Sequence, residues 1–243
     1  MTKLATSSSA GFHPTQWTRV LEAQGNSEPA RQALSDLCAA YYEPIVAFLT
    51  RSGRNPADAR DIAHAFFARL LEGDFLTHVR REGRFRSYLL GALKHFVSHL
   101  QAREQRIKRG GGVEMIPLDA GTDTTPAIEL PAAGVQAPDA AFDKAWAMTV
   151  LDRALAALRA ELVAEGKVEE FERLKPWLTG EVEHGAQAEL ARALGMDSNT
   201  LKSTVHRMKR RFRQCVKQEV ASTLDNTADV DEEMRALFAA LGG

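Results

Sequence analysis

The chain has 243 residues, enough for one large domain or two small ones, with 44% hydrophobic and 26% charged residues and a formal net charge of −1. No apolar run approaches the roughly 18 residues of a membrane span, and MTKLATSSSAGFHPTQW at the N-terminus has no signal-peptide core, so a cytoplasmic protein is expected and a membrane-spanning or secreted one is not. Cys38 and Cys215 lack metal-ligand spacing and read as free thiols; no metal and no cofactor is expected.

Strand signals are nearly absent, and the apolar periodicity is helical throughout, which predicts an all-α fold. The first helix is expected over 27–49, after an N-terminal extension of residues 1–25. Asn55-Pro56 reads as a cap and first helical residue for a second helix, 56–71. That helix is two-faced: Ile62, Phe66, Phe67, Leu70 and Leu71 recur at helical spacing, while Asp58, Arg60, Asp61, His64 and Arg69 take the other sides. A third helix spans 84–109 and stops at three consecutive glycines. The segment 110–138 is rich in Gly, Pro, Thr and Ala with no period, and is too long for a structureless loop inside one domain, so it reads as a flexible linker. Helices resume over 140–162, 168–178, 186–194, 198–224 and, weakly, 231–241.

The near-zero net charge hides local asymmetry. Residues 76–109 carry nine Lys or Arg against two Glu; 110–141 carry five acids and no Lys or Arg; 202–213 carry six Lys or Arg and no acid. Two basic segments divided by an acidic one suit a polyanion held at two places.

The second basic segment lies in AQAELARALGMDSNTLKSTVHRMKRRFRQ, residues 186–214. A short helix with Leu190 and Leu194 inward ends at Gly195. Asp197 or Ser198 caps the next helix, which turns Leu201, Val205, Met208 and Phe212 inward. This is a helix-turn-helix pattern, whose second helix enters the DNA major groove. Ser198, Asn199, Lys202, Ser203 and His206 are the candidates for base edges and nearby phosphates, and Arg207, Lys209, Arg210 and Arg213 for the phosphate backbone. The first basic segment, GRFRSYLLGALKHFVSHLQAREQRIKR, has a packing stripe of Leu89, Leu93, Phe96 and Leu100. Arg86, Lys94, Arg103, Arg106, Lys108 and Arg109 supply charge, with Tyr88, His95 and His99 among them, a combination suited to holding phosphates and stacking unpaired bases.

The succession of YYEPIVAFL, DARDIAHAFFARLL, GRFRSYLLGALKHFVSHLQAREQR and ELARALGMDSNTLKSTVHRMKRRFR resembles an extracytoplasmic-function sigma factor, a bacterial transcription initiation factor, over about residues 30–224. The resemblance implies two small helical domains, region 2 over 26–109 and region 4 over 139–224, joined by the linker 110–138 and followed by an acidic tail, 225–243. It implies as partners the clamp and flap of core RNA polymerase and promoter DNA, with no catalysis by the chain itself and a monomer when free. Asp58, Arg60, Asp61, Ile62, His64 and Phe67 would match the clamp-docking helix. Arg86, Tyr88, Lys94, His95, His99, Arg103 and Arg106 would match the part that melts and holds the minus-ten element. Ser198, Asn199, Lys202, Ser203, His206, Arg207, Lys209 and Arg210 would read the minus-thirty-five element.

One departure stands out. The family's docking helix opens on an acidic cluster, whereas here Arg60 lies between Asp58 and Asp61, and His64-Ala65 replaces a further Gln-Glu. A like-charge contact against a basic partner costs several kcal/mol. Some members of the family with such a weakened cluster are activated by Ser/Thr kinases, so the resemblance makes Thr50, then Ser52, the expected phosphorylation sites and a Ser/Thr kinase an expected partner. Two other readings are a helix-turn-helix regulator acting without polymerase, and a kinase-controlled adaptor that has lost polymerase binding. No Walker, GxSxG, HExxH or CxxC motif supports an enzyme. The tail places Val230, Met234, Leu237 and Leu241 on one face of a short helix, able to pack on its own domain, mask the recognition helix or bind a partner.

Overall fold

The computed structural model describes residues 27–71, 84–108, 137–180, 191–192, 195–224 and 229–242. The extension 1–25, most of the linker and most of the helix expected over 186–194 lie outside them. The described residues form seven named helices: α1 (Glu28–Arg51), α2 (Pro56–Leu71), α3 (Phe85–Lys108), α4 (Pro138–Ala164), α5 (Val168–Thr179), α6 (Ser198–Ser222) and α7 (Val230–Leu241). There is no strand among the described residues, only a lone antiparallel pairing of Arg84 with Leu224. The fold is all-α, as the periodicity predicts, and no described helix is long and apolar enough to cross a membrane.

Local chemistry sets the helix ends. The Asn55 side chain accepts the Ala57 and Asp58 N–H groups (3.0 and 2.9 Å), so it caps α2 and leaves Pro56 at the position where a missing N–H costs nothing. Gly53, at φ 88°, makes the sharp exit from α1, with its N–H on the Thr50 carbonyl at 3.1 Å. Pro138 opens α4 in the same way that Pro56 opens α2.

α4 lies at the centre. It packs on α1 and also against α5, α6 and α7. Its inward stripe, Phe142, Trp146, Val150, Ala154, Leu158 and Leu162, is almost wholly removed from water. Leu37, Tyr41 and Ile45 of α1 and Phe85 and Leu89 of α3 belong to the same continuous apolar cluster, as do Leu201, Met208 and Val216 of α6. Tyr41 meets Phe85 edge-on, ring centroids 5.2 Å apart, and Phe66 of α2 meets Phe96 of α3 at 5.6 Å. The described residues before 109 and after 136 are therefore packed together through one core.

Ion pairs reinforce the α4–α6 contact. Arg153 pairs with Glu219 at 3.0 Å, and Arg211 reaches Glu161 and Glu165 at 2.9 and 2.7 Å. The Arg211 and Lys167 hydrogen bonds hold the Glu165 carboxyl down to about 2.

Candidate nucleic-acid interface

The α6 surface is built by its first turn. Gly195 takes φ 64°, a left-handed backbone that other residues adopt at a cost, and lets the chain reverse into the helix. Asp197, rather than Ser198, is the cap: its carboxylate accepts the Asn199 and Thr200 N–H groups (2.8 and 2.9 Å) and the Thr200 hydroxyl (2.6 Å). These bonds, the Thr200 hydroxyl first, hold its carboxyl below the ordinary range. Helical spacing then turns Leu201, Thr204 and Met208 inward, with Val205 and Phe212 half-buried. Ser198, Asn199, Lys202, Ser203, His206, Arg207, Lys209 and Arg210, the eight residues expected to read DNA, are all exposed, and so is Arg213. Arg211, the remaining cation of the run, is engaged with Glu161 and Glu165 instead.

A cleft of about 250 Å³ opens beside this face, lined by Trp177 of α5 and by Leu201, Lys202, Val205, His206 and Lys209 of α6. Its floor is apolar and its rim is basic. Trp177 was not among the expected site residues. Its only sequence signal is an aromatic residue on the helix preceding the helix-turn-helix.

The α3 segment is arranged differently. Arg86 is buried: its guanidinium hydrogen-bonds Glu233 of α7 and Asp143 of α4 and lies over the Trp146 ring, 4.5 Å from the centroid. Burial works against its charge, but the two carboxylates outweigh this and hold its pKa above the ordinary value. Lys94 donates to Asp139 at 2.7 Å. Tyr88 is half-buried, and burial pushes its hydroxyl up to about 12. In this arrangement Arg86, Tyr88 and Lys94 do not form an open strand-binding surface, because carboxylates of the C-terminal half have already taken the two cations. His95, His99 and Arg103 do face solvent. The His95 and His99 Nε2 atoms are 3.1 Å apart, and burial, then the His99 charge, lowers the pKa of His95. The Arg106 side chain lies outside the described residues, and no group of three metal-ligating side chains occurs among them.

On α2, Arg60, Asp61 and His64 are exposed, and His64 also stacks on Tyr42 of α1 at 5.4 Å. Asp58 is exposed too and accepts a hydrogen bond from Asn55 Nδ2 at 2.7 Å. Ile62 is half-buried. Phe67 is a core residue, 4% exposed, so here it supports the helix from beneath rather than meeting a partner. Thr50 is exposed in the last turn of α1, while the Ser52 hydroxyl donates to the Phe48 carbonyl at 2.9 Å. Thr50 sits at the carbonyl end of α1, which disfavours negative charge. The compensating cations are the neighbouring Arg51 and Arg54, the latter 3.8 Å from Glu104 of α3.

No protein-family model, curated protein or solved structure matches the chain.

Proposed function

We propose that the chain is a transcription initiation factor of the extracytoplasmic-function sigma type, binding core RNA polymerase through α2 and reading promoter DNA through α6, with its two halves serving as the region 2 and region 4 units. The observation that carries this reading is the α6 face, where every residue expected to meet DNA points to solvent behind an Asp197-capped turn. The exposed polar face of α2 supports the polymerase contact, and Arg60 within it supports a charge-controlled one. A phosphate on Thr50 would add about −1.5 to −2 charges beside Arg51 and Arg54 and compete with Glu104 for Arg54.

Capture of core polymerase by wild type, Thr50→Glu and Arg60→Glu tests the reading. Weak wild-type capture, rescued by either acidic change, is expected. Strong capture by wild type would remove the phosphorylation switch, and no capture by any of the three would remove the initiation-factor reading. The open α6 face beside tethered α3 cations also favours a second reading, a DNA-binding regulator that needs no polymerase. Promoter affinity unchanged by added polymerase would select it.

A further inference from the structure

We propose that the first turn of α7 is a built-in substitute for a nucleic-acid phosphate: Glu232 and Glu233 occupy the Arg84 and Arg86 guanidinium groups, and α7 must leave before those groups bind a polyanion. This rests on the reading of the chain as a nucleic-acid-binding protein and adds to it an internal competitor.

The argument starts from Glu233. Val230, Glu233, Met234, Leu237 and Leu241 follow helical spacing along the inward side of α7, and Glu233 is completely buried in that apolar row. A leucine there would pack without desolvating a charge, and buried ion pairs seldom stabilise more than the apolar residues they displace. What the carboxylate adds is selectivity for guanidinium. It meets Arg84 Nε at 2.9 Å, and Arg86 through Nε and, at 3.3 Å, Nη2, across 147 residues of sequence. Glu232 pairs with Arg84 from the rim, and Asp231 pairs with Lys217 of α6 at 3.1 Å. Three successive acids thus face three cations: Arg84 just before α3, Arg86 in its first turn and Lys217 of α6. A guanidinium accepts carboxylate or phosphate oxygens through the same forked donors, so the occupant of this site is exchangeable in kind.

The strap is also short. α7 has only 12 residues, and its fully buried side chains are Glu233, Met234 and Leu237, with Phe238 52% exposed. Backbone contact at the Arg84 site comes from the preceding segment, where the Phe85 N–H meets the Thr223 carbonyl at 3.3 Å. Met234 and Leu237 join the same apolar cluster as α1 and α4, so lifting α7 uncovers those two side chains, while the α1–α4 contact itself does not run through α7.

The test uses the full chain, a fluorescent single-stranded oligonucleotide and hydrogen exchange of the α7 amides. Losing a charged hydrogen-bond partner in Glu233→Gln is expected to speed α7 exchange about tenfold. Apparent oligonucleotide affinity should rise by the same factor, about tenfold, because affinity scales with the open fraction. Glu232→Gln, at the exposed rim, should move both readouts the same way by less, and it keeps the test informative if the buried variant fails to fold. Saturating oligonucleotide should also speed α7 exchange in wild type. Faster exchange without tighter binding overturns the proposal and leaves α7 a structural clasp. Unchanged α7 exchange in oligonucleotide-saturated wild type overturns it too. Polymerase capture, measured separately, distinguishes the two readings: a strap that opens for the oligonucleotide in a chain that captures no polymerase sinks only the initiation-factor reading.

Discussion

α3 and α6 are both basic, both bury an apolar stripe, and both are expected to meet DNA, yet their cations have different fates. On α6 the run is presented outward, and only Arg211 is drawn into ion pairs with α4. At the entry to α3, Arg84 is tied to α7, Arg86 to α7 and α4, and Lys94 to α4. A charge run in sequence therefore defines capacity rather than availability. What decides is whether an acid from elsewhere in the fold arrives first.

The largest expected effect is on the closed side. Trp146 is 1% exposed, touches the apolar cluster with one face and carries the Arg86 guanidinium on the other. Trp146→Ala should destabilise the chain by about 3–5 kcal/mol, read as a shifted urea midpoint. A shift below about 1 kcal/mol would mean that the two halves are not cooperatively packed through α4.

The next effect contrasts the two faces directly. Lys209→Ala and Arg210→Ala, both exposed on α6, should each weaken duplex binding at all sequences and lower the slope of log affinity against log salt by about 1. Lys94→Ala, whose ammonium is already held by Asp139, should leave that slope unchanged. Equal slope losses from Lys94 and Lys209 would erase the distinction between open and occupied faces.

The smallest effect is in pH. Glu165, beside α6, is held down to about 2 from 4.5, so its contribution is present above the unfolded value and lost as pH falls from about 4.5 toward 2. Asp143, beside α3, moves the other way: burial, opposed in part by Arg86, raises it. Its carboxylate therefore costs stability at neutral pH, and this cost is relieved as pH falls through its raised folded-state value. Carbon-detected carboxyl titrations should show Glu165 below, and Asp143 above, the ordinary range. The reverse order would contradict the burial assigned to the Arg86 cluster.

Much of the helix layout was legible because helix signals are local. The expected 56–71 helix coincides with α2, the expected third helix differs from α3 by one residue at each end, and the expected 140–162 helix is α4 with two more residues at each end. The α6 face was legible for the same reason, since a cap, a left-handed glycine and a four-three-four apolar spacing are enough to say which side chains point outward. The packing of α1 on α4 was not legible. A long aperiodic linker suggests separate domains, and nothing in either helix alone shows that its apolar stripe will be met by the other. Nor was Trp177 beside the α6 cleft, because its position depends on how α5 crosses α6.

The sequence by itself determined that this chain is helical, that it is basic in two places, and that α6 carries a capped and outward-facing cationic surface, since each follows from side-chain chemistry within a few residues. Only the tertiary structure decided that Glu233 is buried and that Arg86, the first cation of α3, is its partner. The physical reason is that charge complementarity carries no address. In sequence, Glu233 is one of three consecutive acids in an amphipathic tail; packing of α7 against α4 and α6 brings that one of the three, and neither of its neighbours, into the apolar layer beside Arg86.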